Sequence, residues 1–358
     1  MNTSEIQISG KKIGNSNPTY FIADIAANHD GDLSRAKNLI YLAKEAGADC
    51  AKFQHFKASQ IVSDKGFQEL GAALSHQATW KKSVYSVYEH YELNRNWNAE
   101  LAQTALEAGI DFMTTPYDKD AVDAINSLVP AWKIGSGDIT YTQFIEYVSK
   151  TNKPIMVATG ASSMEDVERV VNLILPINKQ LVLMQCNTNY TGSLENFQYI
   201  NLNVLKTYSK IFPEVVLGLS DHSPGHSTVL GAIALGARVV EKHFTDDTNR
   251  EGPDHGFSMS PQTWREMVQR ARELEAALGD GVKRVEDNEK QTAVVQQRCL
   301  RATKSFPVGH VLKREDVEAL RPATIGALRP FQINDILGKK IIKPLEFGDP
   351  LMYEDFKI

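Results

Sequence analysis

Short apolar runs alternate with helix-like segments along the first 280 or so residues of this 358-residue chain. Parallel strands that are covered on both faces are apolar throughout, so each run predicts a buried strand. The runs lie at residues 20–23, 50–54, 111–116, 131–134, 154–158, 181–185, 215–218 and 239–241. Segments with helical periodicity separate them, as at 33–47, 97–109 and 163–175. Eight strands spaced by helices predict an α/β fold, a (β/α)8 TIM barrel.

The two ends of the chain break this alternation. Residues 5–14 alternate around a glycine, which predicts a hairpin that closes the bottom of the barrel. Residues 283–297 are polar and predict a linker, and residues 298–358 show short β-like pieces with Gly and Pro turns. About sixty residues give a small core, so we expect a β-rich domain that leans on the barrel or on a second subunit. The predicted organisation is a barrel over 1–282, the linker, and a small domain over 298–358.

A long insert follows the second predicted strand, at about residues 57–93. Tyr85, Tyr88 and Tyr91 recur there at helical spacing. Packing in a core or an interface explains such a stripe, and a lid over a site is the alternative.

Composition narrows the class of protein. The net charge is −5, which gives no basic footprint for nucleic acid. No apolar run approaches the length of a membrane-spanning helix, and the N-terminus lacks the apolar core of a signal peptide. The three cysteines are odd in number and far apart, which favours reduced thiols in the cytoplasm. We therefore expect a cytoplasmic protein whose partners are small molecules, without nucleic acid or membrane partners.

Polar residues gather where the predicted strands end. In a TIM barrel these ends open on one face, where catalytic groups gather. Lysines and hydroxyls together suit the phosphate or carboxylate of a small anion, and ion pairing with neighbouring carboxylates is the alternative for the lysines. Asp24 and Asp138 could be acid/base groups or partners of the lysines, and the sequence leaves both open. The strand-end residues are Asp24, Lys52, Gln54, Thr115, Lys133, Ser136, Asp138, Asn187, Thr188, Tyr190, Ser220, His222 and His243.

Two of these residues suggest a metal. His222 and His243 follow neighbouring predicted strands, and neighbouring strands lie about 4.8 Å apart. They could therefore bind one divalent ion together, with Asp254 nearby. The alternative is that they are two hydrogen-bonded histidines near the core. No Gly-x-Gly-x-x-Gly follows the first strand, so a dinucleotide-binding fold has little support.

The strand ends resemble those of the sialic acid (N-acetylneuraminate) synthase family, which also contains the legionaminic and pseudaminic acid synthases. The tail resembles that family's C-terminal antifreeze-like (SAF) module, with Gly309, Arg321-Pro322 and Gly326 at matching places. The matching strand-end motifs include Asn28-His29-Asp30-Gly31, Lys133-Ile134-Gly135-Ser136-Gly137-Asp138, Gly218-Leu219-Ser220-Asp221-His222, Glu241-Lys242-His243-Phe244-Thr245 and Gly252-Pro253-Asp254-His255.

The resemblance implies an enzyme that condenses phosphoenolpyruvate with an open-chain N-acyl hexosamine, releasing phosphate and a nine-carbon 2-keto-3-deoxy acid. It implies Mn²⁺ or Mg²⁺ on His222 and His243, and a swapped homodimer in which Arg321 reaches the N-acyl group from the partner subunit. Phosphoenolpyruvate would be held by Lys52, Thr115, Lys133, Ser136 and Ser220. The sugar would be faced by Gln54, Asp138, Tyr190 and Asp254. The implied catalytic residues are Asp24, Lys52, Lys133, Asp138 and Asp254.

The chain departs from the family pattern at three places. The family usually has Glu where Asp24 and Asp138 stand, and Thr-Asn where Asn187-Thr188 stands. These positions lie near the sugar side, so they bear on which sugar is used. Two alternatives stay open: a phosphoenolpyruvate-dependent synthase acting on a different aldose, such as a phosphosugar, and a barrel that has lost catalysis and serves as a binding protein.

Overall fold

The computed structural model describes residues 4–70, 77 and 80–357. It divides into two compact units, one up to Gly279 and one from Asp280 onward. The segment expected as a linker, 283–297, belongs to the second unit and contains a short helix, Lys290–Gln296. None of the described helices is long and apolar enough to cross a membrane.

The first unit is a closed barrel of eight parallel strands, which confirms the predicted fold. Each predicted strand falls on an observed strand. An antiparallel hairpin comes first, as predicted, with strands β1 (Glu5–Ile8) and β2 (Lys11–Gly14). The barrel strands are β3 (Tyr20–Asp24), β4 (Cys50–His55), β5 (Asp111–Pro116), β6 (Trp132–Ile134), β7 (Ile155–Ala158), β8 (Leu181–Cys186), β9 (Val216–Asp221) and β10 (Val239–His243).

Helices cover the outside of the barrel, and their apolar faces pack on the strands. In the described part of the long insert after β4, the helices are short. The helices of this unit are α1 (Leu33–Glu45), α2 (Ala58–Ile61), α3 (Asp64–Glu69), α4 (Val84–His90), α5 (Asn98–Ala108), α6 (Lys119–Ile125), α7 (Thr142–Ser149), α8 (Met164–Ile174), α9 (Val204–Ile211), α10 (Ser227–Ala234) and α11 (Pro261–Leu278).

The hairpin fills the amino-terminal end of the barrel. Ile6, Ile8 and Ile13 form one buried cluster with inward-facing strand residues such as Met113 and Met156. Layers of apolar side chains make such a barrel a packed core rather than a pore. The polar residues that face the barrel interior therefore lie at the carboxyl ends of the strands.

Strands β9 and β10 run further than their apolar runs indicated. The apolar runs end at 218 and 241, but the ladder continues through the pairs Lys242–Asp221 and His243–Asp24. Apart from Leu219, the extra residues are polar, and all of them are buried. His243 is the last residue of β10 and His222 directly follows β9, so both histidines are held at the ends of regular strands.

The second unit is small and β-rich. Helix α12 (Lys290–Gln296) precedes two antiparallel strands, β11 (Cys299–Ala302) and β12 (Val317–Leu320). Isolated bridges such as Phe306–Leu345 and Ile341–Phe356 tie the remaining turns together. A compact apolar cluster that includes Leu300, Leu312 and Leu351 forms its core.

Candidate active site

A buried carboxylate joins two buried lysines at the carboxyl ends of the strands. Lys133 Nζ donates to Glu241 Oε1 at 2.8 Å, and Lys52 Nζ lies 3.9 Å from Glu241 Oε2. Lys52 Nζ also lies 2.7 Å from Asp24 Oδ2. All four side chains are at most 5% exposed. Both lysines are therefore ion-paired in the protein by itself, which was one of the two expectations for them.

These contacts fix the charges of the cluster. Burial alone would lower the pKa of Lys52, but Asp24 and Glu241 outweigh burial and hold that pKa above its ordinary value. Burial would raise the pKa of Glu241, yet Lys133 and Lys52 bring it below its ordinary value. For Asp24, burial dominates and raises the pKa. The site thus keeps the Lys52 ammonium group charged beneath the barrel mouth, which suits an anionic ligand.

Three predicted hydroxyls surround this cluster. Thr115 Oγ1 accepts from Lys52 Nζ at 3.0 Å, and Ser220 Oγ donates to Glu241 Oε1 at 3.2 Å. Ser136 Oγ accepts from the backbone N–H of Gly160 at 2.9 Å. Hydroxyl and ammonium groups converging on one region match the requirements of a phosphate or carboxylate.

Gly160 leaves no room for a side chain. A Cβ at this position would lie 1.8 Å from Thr188 Oγ1 and 3.0 Å from both Cys186 Sγ and Ser136 Oγ. Distances under about 3 Å between such atoms are repulsive. Thr188 therefore closes over the end of β7 only because residue 160 is glycine.

The two histidines face each other. Their ring centroids are 5.5 Å apart. His222 Nδ1 donates to the backbone carbonyl of Asn187 at 3.0 Å, which leaves Nε2 as the nitrogen with an available lone pair. His243 Nε2 lies 3.7 Å from Asp24 Oδ2, and its buried Nδ1 has no hydrogen-bond partner among the described atoms.

These features fit a metal ligand pair. Burial, with the nearby His222 and the lysines, puts the pKa of His243 well below its ordinary value, so the imidazole is neutral as a metal ligand must be. Burial lowers the pKa of His222 too, but Cys186 and Asn187 outweigh it, so an ion would displace a proton there. In the part of the chain that the structure describes, no three His, Cys, Asp or Glu residues form a ready metal site. Two imidazoles completed by water or substrate oxygens would suit Mn²⁺.

A cavity of about 140 Å³ lies beside the histidines. Gln54, Asp254 and His243 supply polar lining, and Gln54 Nε2 donates to Asp24 Oδ2 at 3.2 Å. The opposite wall comes largely from the insert and includes Ile61, Trp80, Val87, Tyr88 and Tyr91. An outer cavity of about 780 Å³ shares Trp80 and Tyr91 with this pocket, and Lys81 and Lys82 also line it. Two residues of the tyrosine stripe, Tyr88 and Tyr91, thus line the pocket wall.

Two carboxyl groups at this end titrate near neutrality. Burial raises the pKa of Asp138 to about 6, and burial with the charge of Asp24 raises the pKa of Asp254 to about 6. Asp254 Oδ2 also accepts from the backbone N–H of Ala27 at 3.1 Å. A group with a pKa close to the working pH is suited to general acid or base catalysis.

Tyr190 connects the histidines to the outer cavity. Its ring centroid lies 4.3 Å from that of His222 and 5.5 Å from that of Phe257. Phe257 in turn packs 4.9 Å from His243. Both rings shield the imidazoles from solvent and give the pocket an aromatic floor.

The first unit thus brings the sequence-predicted residues to one end of the barrel. Arg321 lies in the second unit, where it is exposed. Sequence reasoning missed Glu241, Gly160 and Phe257 as site residues. Glu241 could have been found, because it stands two residues before His243 in a strand and so faces the same side.

Comparison with known proteins matches both units. The model of the NeuB family matches residues 39–283, and that of the SAF domain matches residues 297–357. An N-acetylneuraminic acid synthetase structure from Leptospira borgpetersenii superposes with a TM-score of 0.71 at 25% identity, covering 81% of this chain and 95% of that one. The spore coat polysaccharide biosynthesis protein SpsE of Bacillus subtilis superposes with a TM-score of 0.65 at 28% identity over 99% of both chains.

Relatives of known name span almost the whole chain. The N,N'-diacetyllegionaminic acid synthase of Legionella pneumophila is 33% identical over 98% of both chains. The human N-acetylneuraminate-9-phosphate synthase is 32% identical over 96% of this chain and 94% of its own. A pseudaminic acid synthase of Campylobacter jejuni is 32% identical over 97% of this chain and 100% of its own. The chain therefore belongs to the NeuB family and carries a SAF domain at its C-terminal end.

Proposed function

We propose that this protein condenses phosphoenolpyruvate with an open-chain N-acyl hexosamine to give a nine-carbon 2-keto-3-deoxy acid and inorganic phosphate. The observation that carries the proposal is the buried pair Lys52 and Lys133, held by Glu241 within the same strand-end cluster as the two facing histidines. Joining an enol phosphate to an aldehyde requires a site that binds the anion and, beside it, a group that polarises the aldehyde. The two lysines would provide the first, and a metal ion on the two histidines would provide the second.

Phosphoenolpyruvate binds at the lysine end. Its phosphate and carboxylate compete with Glu241 for the ammonium groups of Lys52 and Lys133. Thr115, Ser136 and Ser220 supply hydrogen bonds to its oxygens. Thr188 closes this end over Gly160 and keeps water from the phosphate.

The acceptor sugar binds at the histidine end, in the 140 Å³ cavity. Gln54 and Tyr190 orient it, and the carbonyl of Asn187 orients His222. A divalent ion held by His222 and His243 would supply Lewis-acid polarisation of the aldehyde. Asp254 and Asp138, with pKa values of about 6, are suited to accept a proton from the water that is consumed and to supply the proton that the aldehyde oxygen gains, while Asp24 holds Lys52.

One carbon–carbon bond forms, between C3 of phosphoenolpyruvate and the aldehyde carbon. The aldehyde oxygen gains a proton and becomes a hydroxyl. One water molecule is consumed, and the phosphate ester of phosphoenolpyruvate is cleaved to release inorganic phosphate. C2 of the former phosphoenolpyruvate becomes the ketone carbon of the product. Atoms and charges balance without an oxidant or a reductant.

The acceptor belongs to the class that the relatives' names suggest, N-acetylmannosamine or a diacetamido-trideoxyhexose. A phosphorylated acceptor is the second candidate, because Lys81 and Lys82 line the outer cavity. Lys81 lies 3.8 Å from Glu251, which offsets part of its charge. The other proposed contribution is Arg321, which reaches the N-acyl group from the partner subunit of a swapped homodimer.

The test is phosphate release from phosphoenolpyruvate with Mn²⁺, across N-acetylmannosamine, its 6-phosphate and the diacetamido-trideoxy sugars. We expect a signal with one of these acceptors that disappears in His222→Ala. His226→Ala is the matched control, since His226 stands four residues later at the start of α10 and should keep full activity. Folded wild-type protein that binds Mn²⁺ and releases no phosphate with any acceptor would overturn the proposal.

A further inference from the structure

Behind the two histidines lies a second buried ion pair that faces away from the site. Lys242 Nζ is 2.5 Å from Asp221 Oδ2, and the two side chains are 2% and 1% exposed. Lys242 immediately precedes His243, and Asp221 immediately precedes His222. The two residues are direct partners in the ladder between β9 and β10. The pair therefore ties together the two strand ends that present the histidines.

The pair does not touch the anion-binding cluster. Successive residues of a strand point to opposite faces. Ser220 and Glu241 face the barrel interior, where Ser220 Oγ donates to Glu241 Oε1 and Lys133 pairs with Glu241. Asp221 and Lys242, one residue further along each strand, lie on the outer face. Neither side chain is placed to contact substrate.

Further hydrogen bonds surround the pair. Asp221 accepts from the backbone N–H of Ser223 at 3.1 Å, from Ser223 Oγ at 2.9 Å and from Thr228 Oγ1 at 2.6 Å. Lys242 Nζ also donates to the carbonyl of Ser223 at 2.5 Å. The network therefore holds β9, β10 and the loop after His222 in one fixed arrangement, with Thr228 adding the start of α10.

Stability alone is a weak reason for this network. Replacing a buried ion pair with apolar residues of similar size is often neutral or even stabilising. The ion pair instead fixes the relative position of the two strand ends that carry the histidines. We propose that Asp221 and Lys242 are positioning residues that set the separation of His222 and His243 and thereby the affinity for a divalent ion. This inference rests on the proposed metal site.

The experiment measures the Kd of Mn²⁺ by titration of the metal-free full-length protein, with the unfolding midpoint recorded in parallel. Asp221→Asn with Lys242→Met removes both charges and keeps an acceptor for Ser223 and Thr228. We expect this double variant to fold and its Kd to rise by about 10–100-fold, the range found when groups that orient metal ligands are lost. Val240→Ala is the matched control. Val240 is fully buried in β10 and stands two residues before Lys242, so it lies on the same face of the strand as Lys242. It should lower the unfolding midpoint and leave the Kd unchanged.

Thr228→Val is a second variant that keeps both charges and removes only one hydrogen bond to Asp221. We expect a smaller rise in Kd, of about threefold to tenfold, because a single hydrogen bond is lost while the ion pair stays. If the double variant fails to fold, an unchanged Kd in Thr228→Val overturns the inference. A wild-type Kd in a folded double variant overturns it as well. Wild-type protein that binds no Mn²⁺, or binding that survives His222→Ala, would instead remove the proposed metal site itself, and this inference with it.

Discussion

Glu241 accepts a hydrogen bond from Lys133 at 2.8 Å and lies 3.9 Å from Lys52, so one carboxylate serves both lysines of the anion site. In the protein by itself, Glu241 stands where the charges of the proposed ligand would act. The anion site is therefore held together before phosphoenolpyruvate arrives, and the ligand must compete with an internal carboxylate.

Glu241→Gln tests this relationship. Removing one partner of a buried ion pair leaves uncompensated charge, so we expect the free energy of unfolding to fall by about 3 kcal/mol. The same change removes the competing carboxylate, so inorganic phosphate should bind about tenfold more tightly, a change of about 1.4 kcal/mol. Chemical denaturation and phosphate titration measure the two effects. Weaker phosphate binding in a folded variant would mean that Glu241 positions the lysines rather than competing with the ligand.

Gly160→Ala tests the close approach of Thr188. The added Cβ would overlap Thr188 Oγ1, so the loop after β8 must move away from the phosphate end. A displacement of about 1 Å at a reacting group can lower the rate about 100-fold, and we expect a loss of that order in kcat/KM for phosphoenolpyruvate.

A second substitution makes this test specific. Thr188→Ala removes the overlapping oxygen and should restore part of the activity of Gly160→Ala. Thr188→Ser keeps the oxygen and should restore none. Equal recovery in both double variants would show that the overlap is not the cause.

Asp138→Asn tests the buried carboxyl. Burial raises its pKa from 3.8 in the unfolded chain to about 6 in the folded protein, so the folded state holds its proton more tightly. The stability that this proton contributes is present below about pH 4 and is lost as pH rises through about 6. Asparagine stays neutral, so the variant should melt higher than wild type at about pH 8 and gain about half as much at about pH 5. Calorimetry at both pH values measures the difference, and an equal gain at both would contradict the raised pKa.

Tyr88→Leu tests the aromatic wall of the inner cavity. The Tyr88 ring packs 5.4 Å from Phe56 and lines the cavity beside Asp254. Losing its ring face should raise KM for the acceptor about tenfold, the size of an aromatic contact of about 1.4 kcal/mol, and leave KM for phosphoenolpyruvate unchanged. Tyr41→Leu, on an exposed part of α1, is the matched control. A parallel rise in both KM values would instead indicate a general disturbance of the barrel.

The barrel was predictable because its strands are buried on both faces and leave continuous apolar runs. The apolar runs of β9 and β10 stop short of the observed strand ends because Ser220, Asp221, Lys242 and His243 are polar. A polar residue ends an apolar run, but here the ladder and the buried contacts continue through these residues. Such buried polar strand residues mark a functional frame, and hydrophobic pattern alone does not detect them.

The strand-end lysines and histidines were predictable because barrel geometry brings all strand ends to one face. Their partners were harder to predict. Glu241 pairs with Lys133 although the two are 108 residues apart in the chain, and Thr188 meets Gly160 only through the closure of neighbouring strands. Long-range pairs of this kind depend on register around the barrel, which a single sequence does not specify.

Mass spectrometry of the products formed from phosphoenolpyruvate, Mn²⁺ and the acceptor panel tests directly whether this protein joins phosphoenolpyruvate to a sugar. We expect a product whose mass equals phosphoenolpyruvate plus acceptor plus water minus phosphoric acid, formed in step with phosphate release and absent with Lys133→Met. Release of phosphate with pyruvate as the organic product and the acceptor unchanged would rule out the proposed condensation, because no carbon–carbon bond would have formed.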